Sequence, residues 1–228
     1  VRIEAFINAF RYSYPAPGRG QFLSINLETA ACPWNEGHTL ARIGLRGPDG
    51  SSLSDVKLQV EFNPARVKAY RLIGYEHARL KAGDFNDDAK AGGALAAGQT
   101  VTALYEIVPH GRDVPGLSVD ALKYQKTVRL SPAAGGRELL TVKVRAKGPH
   151  DGRSRLQTAV LMDSATAWRK ASPDFRAAAA AAGLGMLLRR SEYRGALTYA
   201  MVRDVSVPDG EFLRLNERAR RLDSTALP

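Results

Sequence analysis

Asp84-Phe85-Asn86-Asp87-Asp88 is a dense run of oxygen donors. Asp84, Asn86 and Asp88 stand where positions 1, 3 and 5 of a calcium loop supply ligands. Position 6, which wants Gly for its sharp turn, is Ala89, and position 12, which wants a bidentate Glu, is Leu95. Asx side chains also close turns by bonding their own backbone. The stretch therefore reads as a capped turn, with a calcium site as the alternative, and no other cofactor is implied.

Four histidines, His38, His77, His110 and His150, are separated too widely to form a helical pair and fall at strand ends or in loops. Zinc would need them to converge from a distance, so they read as scattered surface residues. Cys32 is the chain's one cysteine, so no intrachain disulfide can form. It lies beside Pro33 and Trp34 with no cationic neighbour to activate the thiol, and reads as a half-buried structural residue. Arg214, Arg218, Arg220 and Arg221 cluster near the C-terminus and could hold phosphates. Aromatics make up only 7% of the chain, and no stacking platform borders the arginines, so nucleic acid is not an expected partner and a solvated helix face is the plainer reading. There is no G-x-S-x-G, no P-loop and no dinucleotide fingerprint, since Gly183-Leu184-Gly185 sits inside a helical pattern. The chain is expected not to be an enzyme.

The elements that must position these residues are mostly strands. Ile3, Phe6, Ile7 and Phe10 form one apolar face, so Arg2–Phe10 predicts a short helix. Leu23–Leu27 alternates as a half-buried strand, Ala30–Gly37 is a loop with Trp34 as a plug, and His38–Leu45 is a second strand. A polar turn separates it from Val56–Phe62, where Val56, Leu58, Val60 and Phe62 alternate strictly with Lys57, Gln59 and Glu61. That pair reads as a hairpin at the centre of the fold. Val67–Tyr75 is extended, Glu76–Gly98 a long loop, Gln99–Val108 a central strand and His110–Leu122 a second loop. Lys126–Leu130, Leu140–Ala146 and Arg155–Met162 complete about eight strands.

The periodicity then changes. Ser172-Pro173-Asp174 is a helix start, with a capping hydroxyl, proline at the first helical position and an acid in the first turn. The helix runs from Phe175 to Arg190 with Phe175, Ala179, Ala182 and Met186 on one stripe. Thr198–Val205 is a short helix, and Glu211–Leu222 puts Phe212, Leu215, Ala219 and Leu222 on one face, away from its arginines. The expected architecture is α+β: an antiparallel β-sandwich of about eight strands, with an N-terminal helix and C-terminal helices packed on it.

The 228 residues carry a formal charge of +10, which favours acidic partners. Residues 153–228 hold 13 basic and 8 acidic side chains, the densest positive stretch. No apolar run is long enough to span a bilayer. The opening VRIEAFINAF lacks the order of a signal peptide and does not start with Met, so the chain reads as an internal fragment whose leader or anchor, if any, lay upstream.

Several strings in order complete the reading: FINAFRYSYPAP, ETAACPWNEGHTLARIGLRG, DVKLQVEFNPARVKAYRLIGYE, DFNDD, GQTVTALYEIVP, ELLTVKVRAK and DFRAAAAAAGLGMLLRRSEYRG. Together they resemble, over roughly residues 1–205, bacterial envelope proteins in which a von Willebrand factor type A domain is flanked by an N-terminal region and a C-terminal domain of unknown function. The resemblance implies a type A domain, with its metal-binding D-x-S-x-S motif, between about Gly47 and Val56. This chain has only GPDGSSLSD there, with no such motif. One scaffold over 1–228 is therefore expected, built from flanks 1–47 and 56–228 across a short join at 48–55, with its helical end at 172–222. The resemblance implies a non-enzymatic scaffold or binding module, periplasmic or lipid-anchored in the cell envelope, acting on an unidentified protein or surface. The alternative is a basic module that binds an anionic polymer or lipid through Arg214, Arg218, Arg220 and Arg221. A third reading is a hydrolase with acids and His77 converging from loops.

Overall fold

The computed structural model describes residues 1–75, 85–87, 89–112, 130–164, 166–207 and 209–225. Eight strands form two antiparallel four-stranded sheets, in the orders β1-β2-β6-β4 and β5-β3-β7-β8. The first sheet contains β1 (Ser24–Ala31), β2 (Thr39–Arg46), β6 (Thr100–Pro109) and β4 (Val67–Ile73), and the second contains β5 (Gly93–Leu95), β3 (Leu53–Phe62), β7 (Glu138–Lys147) and β8 (Arg155–Met162). The helices are α1 (Ile3–Ile7), α2 (Pro173–Leu188), α3 (Tyr199–Val205) and α4 (Gly210–Thr225). The α+β sandwich expected from the alternation is the observed architecture.

Two cores follow from strand alternation. On β2, Ala41, Ile43 and Leu45 face the second sheet and join Val142, Val144 and Leu140 of β7. Leu40, on the opposite face, joins Leu104, Ile73, Trp34 and α2 in the core between the first sheet and the helices. The first sheet is thus covered on both faces, and β2 and β6 are buried along most of their length, Arg42, Thr102 and Glu106 included.

The expected hairpin is not there. Both hydrogen-bonding edges of β2 are taken, by β1 and β6, while β3 pairs with β5 and β7 in the other sheet. Residues 47–52 are therefore a crossover between sheets. Alternation identifies a strand and its buried face but not its partner. β1 also runs on through Ala30 and Ala31, which were expected in a loop, because their register with Leu40 and Thr39 is unbroken. Within the expected loop 76–98, Gly93–Leu95 forms β5 against Leu53 and Val56. The expected strand 126–130 falls, except for Leu130, outside the described residues; the other seven expected strands are observed, and β5 is an eighth among the described residues that was not expected. Lys57, expected at a solvent position, is only 2% exposed. Phe85 is buried nearby, and the Lys57 ammonium donates to the Asp87 carbonyl.

Ser172 caps α2 by accepting from the Phe175 N–H at 3.1 Å, with Pro173 at the first helical position. The expected single apolar stripe is too narrow a description. Phe175 and every residue from Ala177 to Leu187 are buried, so α2 is enclosed almost all round. Small residues make this possible. A Cβ on Gly183 would lie 3.1 Å from Val202, and one on Gly185 would lie 3.2 Å from Ile3. The helix ends at Leu188, before the two arginines, with Arg190 at φ 52°. α1 is shorter than Arg2–Phe10 and is fixed to β6 by Asn8, whose side-chain oxygen accepts from the Thr102 N–H at 2.8 Å.

On α4 the buried residues are Phe212, Asn216 and Ala219, while Leu215 and Leu222 are 43% and 63% exposed. The expected face Phe212–Leu215–Ala219–Leu222 is therefore wrong by part of a turn. Asn216 replaces Leu215 in the contact because its amide donates to the Tyr199 carbonyl at 3.0 Å.

Candidate functional site

Glu106 lies in the middle of β6 on the helix-facing side, and its side chain is 3% exposed. A buried carboxylate persists only if it is paired and hydrogen-bonded. Four side chains do this. The loop between β1 and β2 supplies Asn35 Nδ2 at 2.5 Å and Trp34 Nε1 at 3.3 Å, and His38 Nδ1 lies 2.6 Å from Oε1 at the loop's end. Arg71 on β4, paired with Glu106 across the ladder, donates from Nη2 at 2.5 Å. The same nitrogen reaches the Tyr193 carbonyl at 3.2 Å and the Met186 sulfur at 3.4 Å. The Arg71 guanidinium also lies over the Tyr193 ring, 4.8 Å from its centroid. One carboxylate thus joins β6, β4, the 32–38 loop, α2 and the segment after α2.

Burial alone pushes the Glu106 carboxyl up, but the Arg71 charge and the donors Asn35, His38 and Trp34 outweigh it, and the net direction is down. Cys32, in the same loop, is buried, and desolvation pushes its thiol well above the ordinary range, with the Glu106 charge adding to it. A thiol held protonated is a poor nucleophile. Two surface depressions, of about 130 Å³ beside Phe62 and Asn63 and about 450 Å³ beside Trp168 and Arg176, are not lined by the cluster. Its geometry fits fastening the layers, with the carboxylate saturated by donors.

His38 is thus not a surface residue, as its place at a strand end suggested, because it turns inward onto Glu106. Of the calcium candidates, Asn86 is exposed, and Asp84 and Asp88 lie outside the described residues, as does His77. Among the described residues no group of three or more His, Cys, Asp or Glu could hold a metal ion. Arg214, Arg218, Arg220 and Arg221 are all exposed along α4. Arg220 and Arg221 both reach Glu217, at 2.7 and 3.3 Å, and these donors bring the Glu217 carboxyl down to about 2. Half of the proposed anion face therefore already has an acid on the same helix. Sequence reasoning missed Glu106 and Arg71. The signal was a charged residue centred in two apolar strands, LYEIV and AYRLI.

The crossover is the second notable feature. Gly47 N–H donates to the Gln99 carbonyl at 2.9 Å and Gly98 N–H to the Pro48 carbonyl at 3.0 Å. Arg46 reaches Asp49 at 2.6 Å and the Tyr14 carbonyl at 2.7 Å. On the far side Leu53 is buried, and Asp55, at φ 51°, pairs with Lys147 at 2.8 Å.

These features define an α+β sandwich whose helical layer is fastened to one sheet through a buried carboxylate and whose two sheets are linked by a clamped crossover. The family model described as uncharacterized protein YfbK, C-terminal, matches residues 52–219, and one described as von Willebrand factor matches residues 1–42. The chain belongs to the YfbK C-terminal family. The uncharacterized protein YfbK of Escherichia coli (strain K12) is 36% identical over 174 residues, which cover 72% of this chain and 29% of that protein. The chain thus spans less than a third of the length of its curated relative. Among solved structures, the GAE domain of GGA2p from Saccharomyces cerevisiae covers 67% of this chain and 98% of its own at 8% identity and a TM-score of 0.38. The yeast GGA1 GAE domain covers 63% and 95% at 10% identity and a TM-score of 0.35.

Proposed function

We propose that this chain is a non-enzymatic scaffold of a bacterial cell-envelope protein, periplasmic or lipid-anchored, and that its 47–52 crossover is the point at which related proteins carry a von Willebrand type A domain. The assembled protein would engage a protein or surface partner. One observation carries the reading: the match to the von Willebrand factor model ends at residue 42, the match to the YfbK C-terminal model begins at residue 52, and the interval contains the end of β2 and residues 47–51 of the crossover. A connection at the end of a sandwich, whose flanking strands are each held by partners in their own sheets, accepts an insertion without changing either sheet. The short length matched in the Escherichia coli relative is consistent with further domains in that protein.

The test is an insertion series. A compact domain with adjacent termini is placed between Gly50 and Ser51, and the same domain is placed in the turn at Asn63–Ala65 as a comparison. Insertion at Gly50 is expected to shift the scaffold's melting temperature by a few degrees at most, since loop closure adds only about 0.6 kcal/mol per doubling of length. Insertion at Asn63 breaks its bonds to the Ala134 and Glu138 carbonyls and is expected to cost much more. Equal losses at the two sites would sink the proposal.

A further inference from the structure

α4 touches the body of the protein along a narrow line. Its buried side chains, among those described, are Phe212, Asn216 and Ala219. Phe212 meets Phe10 edge to face, and the Asn216 amide donates to the Tyr199 carbonyl. The flank beside this line carries two leucines. Leu215 and Leu222 lie within about 20° of one line down the helix, with Arg218 about 50° from it and Arg214 and Arg221 beyond. Both leucines keep about half of their surface in water. Arg214 and Arg218 form no ion pair among the described residues, whereas Arg220 and Arg221 share Glu217. Glu211, in the first turn, is an acid on the same flank.

This flank asks for two things at once. Exposed leucines gain only from an apolar phase, and guanidiniums gain from anions at its polar boundary, where their stems can lie along the apolar surface. An acidic polymer would satisfy the arginines and leave the leucines in water. A second copy of the chain would bring the same arginines face to face. A layer of anionic headgroups over acyl chains satisfies both, and it needs no shape complementarity from a single helix flank.

We infer that α4 is an interfacial helix that lies along an anionic lipid surface, with Leu215 and Leu222 below the headgroups and Arg214 and Arg218 among the phosphates. The formal charge of +10 draws the chain to such a surface. Two leucines and two unpaired arginines give a contact that is reversible and weakened by salt. The inference stands apart from the reading of the crossover and holds whether or not a domain is carried there.

The test uses this 228-residue chain in flotation with vesicles of equal parts phosphatidylglycerol and phosphatidylcholine. Pure phosphatidylcholine vesicles and dextran sulfate are the comparisons, and circular dichroism checks that each variant is folded. Binding to the anionic vesicles, lost in high salt, is expected. Arg214→Glu with Arg218→Glu is expected to weaken it roughly 25-fold or more, about fivefold for each charge. Leu215→Ser with Leu222→Ser is expected to weaken it roughly tenfold and to leave binding to dextran sulfate unchanged. Lys90→Glu with Arg153→Glu makes the same change of charge in exposed loops of the second sheet and is expected to weaken vesicle binding less than about threefold, since charges beyond a Debye length are screened. Equal binding to neutral and anionic vesicles, or none to either, overturns the proposal. So does a leucine pair without effect beside tight binding to dextran sulfate, which makes the flank a site for an acidic polymer. Equal losses from the two charge reversals overturn the assignment to α4.

Discussion

Replacing Glu106 by Gln tests the central fastening of the fold. The amide has one acceptor oxygen where the carboxylate has two. With its NH2 on one side it faces Arg71 and Trp34, which can only donate; on the other side it is met only if His38 presents an unprotonated Nδ1 or Asn35 turns its oxygen inward, and Arg71 then keeps a neutral oxygen where it had a carboxylate. Removing one partner from a buried ion pair costs about 3–5 kcal/mol. The Arg71 side chain is 22% exposed and keeps the Tyr193 carbonyl, so the lower end applies, about 3 kcal/mol. For a chain of this size that is a fall of roughly 10 °C in melting temperature. The Glu106 carboxyl is lowered on folding, so its contribution is fully present above the unfolded-state value and is lost as pH falls through the lowered one. Urea unfolding of wild type and Glu106→Gln at neutral pH and near about pH 3 reads both effects, with the gap between them narrowing in acid. A loss below about 1 kcal/mol at neutral pH, or a gap unchanged in acid, would refute the assignment of Glu106 as the paired centre of the cluster.

Three further outcomes are expected. Gly44→Ala places a methyl 2.3 Å from the Tyr14 ring, whose hydroxyl is bonded to Thr102 and whose face stacks on Tyr12, so overpacking of about 2–3 kcal/mol should appear as a lowered urea midpoint. Ser172→Ala removes the α2 cap and a donor to Glu28, and should cost about 1 kcal/mol by thermal melting. Arg214→Glu combined with Arg218→Glu should change stability by no more than about 0.5 kcal/mol, since both side chains are exposed on α4.

What could be read from the residues was local. The Ser172-Pro173-Asp174 start, the buried Trp34 and the two-sided burial of β6 each follow from a few neighbouring side chains. The partner of β3 was not local information, because nothing in its alternation distinguishes pairing with β2 from pairing with β7. Lys57 occupies a solvent position by period and is covered only because residues distant in sequence lie over it. α2 was read as a stripe because alanine is neutral in such patterns, whereas its burial comes from α1 and α3 closing over Gly185 and Gly183. The Glu106 cluster was hidden for the same reason: Trp34, Asn35, His38, Arg71 and Glu106 meet only after the first sheet has formed.

The crossover also has a kinetic consequence. The two strands it joins never pair with each other, so the centre of the chain has no hairpin nucleus. Among the described residues, local pairing is confined to β1 with β2, where Ala31 meets Thr39, and β7 with β8, where Ala146 meets Arg155. The central ladders bring Thr39 to Ile107 and Phe62 to Leu140, contacts of high sequence separation. Chains dominated by such pairings fold in milliseconds to seconds, well behind helical proteins of equal stability. The two terminal hairpins are the elements able to form early, and the sandwich waits on the closure of the loops between them.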